Sequence, residues 1–128
     1  GAWLNGKPLK ISRIDDPRRA AVSTGNLKSL AGSEGWARLG EVVEHADRIR
    51  GYGDFYHYHL LAAGKIEAVI ESDVNILDIA ALSIIVTEAG GVFTNLNGER
   101  VDLDIRSVLA ANPSLHAKYL ERLRGYVT

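Results

Sequence analysis

The 128-residue chain has no cysteine. That rules out a disulfide framework, a thiolate metal site and a thiol nucleophile, and it permits a reducing compartment. An excess of charge is also missing: Lys+Arg number 15 and Asp+Glu 16, a net charge of -1. A dedicated binder of nucleic acid or of an anionic membrane surface would show a basic excess, so neither partner is expected. No apolar run reaches bilayer-spanning length, and the first residues lack the charged-then-apolar layout of a secretory signal. The expected setting is therefore the cytoplasm. Familiar motifs are absent too. There is no G-x-x-x-x-G-K-[ST] phosphate loop, no G-x-G-x-x-G after the first strand and no G-x-S-x-G, so a nucleotide-binding Rossmann reading has little support.

What is present is the composition of a globular domain. Hydrophobic residues make up 46% and charged residues 24%, and the length suffices to bury one core without staples. No internal repeat or low-complexity segment interrupts it.

Residues 1–12, GAWLNGKPLKIS, read as two short extended pieces around an Asn5-Gly6 hairpin turn. They have no obvious sheet partner, which suggests the remnant of a domain lying upstream. RIDDPRR, with Pro17, reads as a loop. Residues 13–128 then alternate. AAVSTG is an apolar strand, and residues 33–46 have helical spacing with Trp36, Leu39, Val42 and Val43 on one stripe. RIRGYGD is a strand ending in a glycine turn, and residues 55–63 form a helix stopped by Gly64. IEAVIE is a strand leading into a long apolar helix that ends at Gly90-Gly91. VFTNLNGERVDL reads as a strand, an Asn97-Gly98 turn and a returning strand. SVLAAN is a strand, and Pro113 opens a last helix reaching Leu123. This alternation predicts an α/β fold, a layered sandwich whose mixed sheet is mostly covered on both faces. Ligands of such sheets sit at strand ends, which points to Ser23–Gly25, Gly51–Asp54 and Glu71–Asp78.

Glu71, Asp73 and Asp78 surround one strand-to-helix junction. Oxygen-only ligands suit Mg²⁺, which takes one or two protein carboxylates plus water and substrate phosphate. Asp78 also stands three residues after Asn75, the spacing of a capping box, and an acid there suits the helix dipole. Spacing alone favours the cap over the metal. Against that, Ile76, Leu77, Ile79, Leu82, Ile84, Ile85 and Val86 wrap the helix, which predicts burial on nearly all sides and low-dielectric surroundings for Asp78. His57 and His59 diverge on a helix and cannot share a metal. They read as a packing and surface face, and His45 and His116 receive no role. STGN and GYGD offer backbone N–H groups at strand ends, as ordinary turns also do.

The run LDIAALSIIVTEAGG, followed by a strand, an Asn-Gly turn and SVLAAN, resembles the second signature of the inositol monophosphatase superfamily. The likeness runs from about Ala20 to the C-terminus, and GAWLNGKPLKIS resembles the stretch that closes the family's first domain. RGYGDF is most similar to the histidinol-phosphate phosphatase branch. The resemblance implies the C-terminal domain of a sugar-phosphatase-like fold and a Mg²⁺-dependent phosphomonoesterase acting by metal-activated water. It implies that Asp78 ligates the metal, that Glu71 contacts the alcohol moiety of the substrate, and that Gly53 and Asp54 line the same pocket. Asp54 would then suit a cationic amine. A small phosphorylated substrate and a homodimer are implied as well.

Two positions depart from the signature: Leu77 replaces its tryptophan and Leu82 its glycine. A larger departure is the lack of the Glu-Glu element and the Asp-Pro-x-Asp-Gly-Thr motif, which supply the family's other metal ligands; DDPRR at Asp15–Arg19 is not that motif. The chain thus reads as a C-terminal half needing its own N-terminal half. The alternative is a non-catalytic binding or regulatory α/β module without a complete metal site.

Overall fold

The computed structural model describes residues 1–124; the last four positions of the expected 13–128 domain lie outside them. The chain opens with a hairpin, β1 (Trp3–Leu4) and β2 (Lys7–Pro8), paired antiparallel. Asn5 and Gly6 both take positive φ, 51° and 79°. Two left-handed residues in a row are what a two-residue turn with matching twist demands.

The main elements are β3 (Ala21–Gly25), α1 (Leu27–Ala31), α2 (Trp36–His45), β4 (Arg48–Arg50), α3 (Tyr56–Ala62), β5 (Ala68–Ser72), α4 (Ile76–Glu88), β6 (Val92–Thr94), β7 (Ser107–Ala111) and α5 (Pro113–Leu123). The five-stranded sheet runs in the order β4-β3-β5-β7-β6. β3 pairs parallel with β4 and β5, while β7 pairs antiparallel with β5 and β6. The sheet is mixed, as expected.

Every residue of the central strands β5 and β7 is buried, because alternate side chains enter opposite cores. Ala68, Ile70, Leu109 and Ala111 face Leu30 of α1, Leu39 and Val42 of α2, and Leu115, Tyr119 and Leu123 of α5. Val69, Val108 and Ala110 face Tyr58 and Leu61 of α3 and Ile79, Leu82 and Val86 of α4. Helices cover both faces, so the fold is a layered α/β sandwich.

Five sequence expectations need correction. Residues 101–103 form no returning strand: Asp102 Oδ1 accepts the Asp104 N–H at 2.9 Å and the Asp102 carbonyl accepts the Ile105 N–H at 3.3 Å. Those bonds curl the segment into a turn, so β6 pairs with β7 alone. Residues 27–31 form α1, a helix the sequence did not announce, and a 3-10 turn occupies Pro17–Arg19 within the expected loop. On α2, Leu39 and Val42 enter the core, whereas Trp36 and Val43 stay exposed. Most consequential, α4 is not buried on nearly all sides. Leu77 is 91% exposed and Ile84 65%. These two residues are seven positions apart and so share one helix face, which no element of the described chain covers.

Candidate active site

Three parallel strands, β3, β4 and β5, end on the same edge of the sheet, and the loops that leave them enclose a cleft of about 320 Å³. Gly25 and Asn26 line it from β3, Gly53 and Asp54 from the turn after β4, and Glu71 and Asp73 from β5. Tyr58 of α3 and Asp78 of α4 complete the wall. This is the carboxyl edge at which open α/β sheets bind ligands. Glu71, Gly53, Asp54 and Asp78, singled out in the sequence, all meet here.

Asp78 holds its place through the α4 N-terminus. Asn75 Oδ1 accepts the Leu77 and Asp78 N–H groups at 2.9 and 3.3 Å, and Asp78 Oδ2 accepts the Asn75 N–H at 3.0 Å. The capping box is therefore complete. Asp78 is exposed at the cleft, so the expected low-dielectric setting is overturned: the uncovered face of α4 leaves its first turn open to solvent. Asp54 and Asp73 are exposed as well.

Glu71 differs from these acids. It is 7% exposed, at the floor of the cleft. Tyr58 donates its phenol O–H to Glu71 Oε1. Burial, reinforced by the charge and acceptance of Glu71 and by the charge of Asp78, pushes the Tyr58 phenol well above its ordinary range. Tyr58 thus remains a donor. His57 Nε2 lies 3.5 Å from Glu71 Oε1, and His57 Nδ1 lies 2.9 Å from Ser23 Oγ.

Asn26, Asp54 and Asp73 hold positive φ of 60°, 48° and 56°. All three line the cleft. Strained non-glycine backbone of this kind gathers where structure serves a site.

The electrostatics are one-sided. Asp54, Glu71, Asp73 and Asp78 line the cleft, and among the described residues no lysine, arginine or histidine does. A phosphate cannot enter such a cleft without a compensating cation, whereas a divalent metal or a substrate ammonium is attracted. The donors are oxygens only, which suits a hard cation such as Mg²⁺. Yet among the described residues no three Asp, Glu or His side chains converge on one point. The donor set therefore fits one corner of a metal site, with Asp78 as the exposed carboxylate, and not a complete one.

The profile of the inositol monophosphatase family matches residues 1–128. The chain belongs to the inositol monophosphatase family. A histidinol-phosphatase of Mycobacterium tuberculosis is 36% identical over 123 residues, covering 91% of this chain and 45% of the relative. An inositol monophosphatase 1 of Bos taurus is 31% identical, over 88% of this chain and 42% of the relative. Among solved structures, the extragenic suppressor protein suhB of Bartonella henselae superposes with a TM-score of 0.86 at 25% identity, over 98% of this chain and 50% of that one. The chain spans about half the length of the curated relatives it matches.

Sequence spacing gives Tyr58 no role, places Asn26 only in the STGN strand end, and reads His57 only as part of a packing and surface face. His57 and His59 do diverge, but only His59 is on the surface; His57 is fully buried against Ser23. The sequence carries one signal, since Ser23 stands in a stretch that reads as a strand end. The pairing of that strand end with α3 is a long-range fact that spacing does not carry.

Proposed function

We propose that this chain forms the acidic, substrate-facing part of a Mg²⁺-dependent phosphomonoesterase acting on a small phosphorylated alcohol. The observation that carries the reading is the cleft itself. Exposed Asp78 at a helix N-terminus, buried Glu71 and the Gly53-Asp54 turn meet at one strand edge without a neutralising side chain. In this reading Asp78 is a metal ligand, and Glu71 accepts a hydrogen bond from the alcohol moiety. Bound Mg²⁺ would supply the positive charge that a phosphate needs there and would lower the pKa of a bound water. This chain's own share is to hold the leaving alcohol: Glu71 orients it, and Asp54 pairs with an amine when the alcohol carries one.

The remaining metal donors would come from an N-terminal half, against which the hairpin and the bare face of α4 would pack. Exposed Trp3 and Leu4 of β1 and exposed Leu77 and Ile84 of α4 support this, since apolar groups are expensive to leave in water when a partner can bury them. The family likeness is the support for a homodimer; no described helix is long and apolar enough to cross a membrane.

Two relatives' names set the substrate test, histidinol phosphate against inositol phosphate. Phosphate release by the protein joined to a chain carrying Asp-Pro-x-Asp-Gly-Thr is expected to require Mg²⁺. Asp54→Asn should weaken histidinol phosphate more than inositol phosphate, and equal losses would remove Asp54 from amine recognition. The absence of three convergent donors favours one rival, a binding module. It would be preferred if the joined protein bound phosphorylated alcohols and released no phosphate.

A further inference from the structure

Glu71 is held from behind in a way no other acid of the cleft is. Tyr58, on α3, donates its O–H to Oε1. His57, its neighbour on that helix and fully buried, points Nε2 at the same oxygen from 3.5 Å. Ser23 Oγ accepts the Tyr52 N–H at 3.1 Å and lies 2.9 Å from His57 Nδ1. With the serine hydrogen donated to Nδ1, the ring proton stands on Nε2, facing Glu71. No hydrogen-bond partner satisfies Nε2. A buried donor left in this condition is costly, and a shift of Oε1 by about half an ångström brings it into normal N–H···O range.

The fourth wall is a glycine. Gly25 is the register partner of Glu71 on the adjacent parallel strand. A Cβ at Gly25 would stand 2.3 Å from Glu71 Oε2 and 2.8 Å from its Cδ and Cγ. The carboxylate can lie across β3 only because that Cβ is missing.

We infer that Ser23, Gly25, His57 and Tyr58 are the positioning residues of Glu71. Tyr58 and His57 engage Oε1 from the protein side, and Gly25 leaves room for Oε2 at the cleft as the oxygen that receives a substrate hydroxyl or ammonium. Ser23 sets the His57 tautomer. His57 completes its contact when Oε1 settles back toward Nε2, a rotation that presents Oε2 to the cleft, so the group recognised is one that draws on Oε2.

The kinetic half of this inference rests on the phosphatase reading; the structural half does not. Long-range ¹H–¹⁵N spectra of ¹⁵N-histidine-labelled protein should show His57 protonated at Nε2. Glu71→Gln and Gly25→Ala should both move the His57 signal and leave that of His116 in place. In the assembled Mg²⁺-loaded enzyme, His57→Leu should lower kcat/KM for an amino-alcohol phosphate about tenfold, mainly through KM. The loss should be smaller for p-nitrophenyl phosphate, which offers Glu71 no aliphatic hydroxyl or amine. His57→Gln, which returns an N–H near the Nε2 position, should recover part of the loss. A His57 signal indifferent to Glu71→Gln, or equal losses on both phosphates, overturns the assignment. If the unsubstituted enzyme hydrolyses neither phosphate, the phosphatase reading falls, and the spectra alone decide the positioning role.

Discussion

Asp78 carries two tasks on α4, and substitution separates them. As the acid of the capping box it accepts the Asn75 N–H through Oδ2 at 3.0 Å, and its charge sits in the first turn, where the helix favours an anion. Asp78→Asn keeps an oxygen for that N–H and removes the charge. The expected loss of stability is the dipole contribution, about 0.3–1 kcal/mol. Asp78→Ala removes the acceptor as well, adding about 1 kcal/mol for the broken cap. The side chain is exposed, so neither change opens a cavity. Urea unfolding should resolve the two as successive decreases in midpoint at constant slope. Activity should behave differently. With Asp78 as a metal ligand, both variants should lose more than the 10- to 100-fold (roughly) that removal of an outer partner of a metal site costs. The two variants would then be alike in activity and unlike in stability. If Asp78→Asn kept its phosphatase activity, or if activity merely followed the urea midpoints, capping alone would account for this aspartate.

Two further expectations concern the opposite core and the bare face of α4. Thr94 Oγ1 donates to the Asn95 carbonyl at 2.8 Å, so it accepts the His116 Nε2–H, also at 2.8 Å. Burial lowers the pKa of His116, so the unfolded chain takes up the proton first as pH falls. Its contribution to stability is intact above the ordinary histidine range, about pH 6.5, and declines as the pH drops below it. His116→Gln should flatten that part of a midpoint-against-pH curve, and an unchanged curve would clear His116 of the effect. On α4, Ile84→Asp should leave the stability of this chain within about 0.5 kcal/mol, since the side chain is already solvated. The same change should weaken association with the proposed N-terminal half in sedimentation experiments. Undiminished association would place that contact elsewhere.

Local chemistry explains which features could be read in advance. Asn5-Gly6 announces its turn because both residues tolerate positive φ. Asn75 and Asp78 announce a capping box because the bonds span three residues. Pro113 opens α5 as expected, with Asn112 as the cap whose side chain accepts the Leu115 N–H at 2.9 Å. The cleft was also foreseeable in outline, since parallel strands must end on one edge and their loops must meet there.

By itself, then, the sequence determined the alternation of strands and helices apart from α1 and the returning strand that does not form, the turn and cap residues, the acids at the strand ends and the family to which they belong. These follow from short-range geometry and from a motif contained in one continuous run. The tertiary structure alone decided that Gly25 lies in register with Glu71, that His57 turns inward to Ser23 while His59 faces water, and that α4 leaves Leu77 and Ile84 bare. Hydrophobic spacing says which residues avoid water. It does not say which neighbour covers them, because strand register and helix packing join residues far apart in the chain, Ser23 with His57 and Gly25 with Glu71.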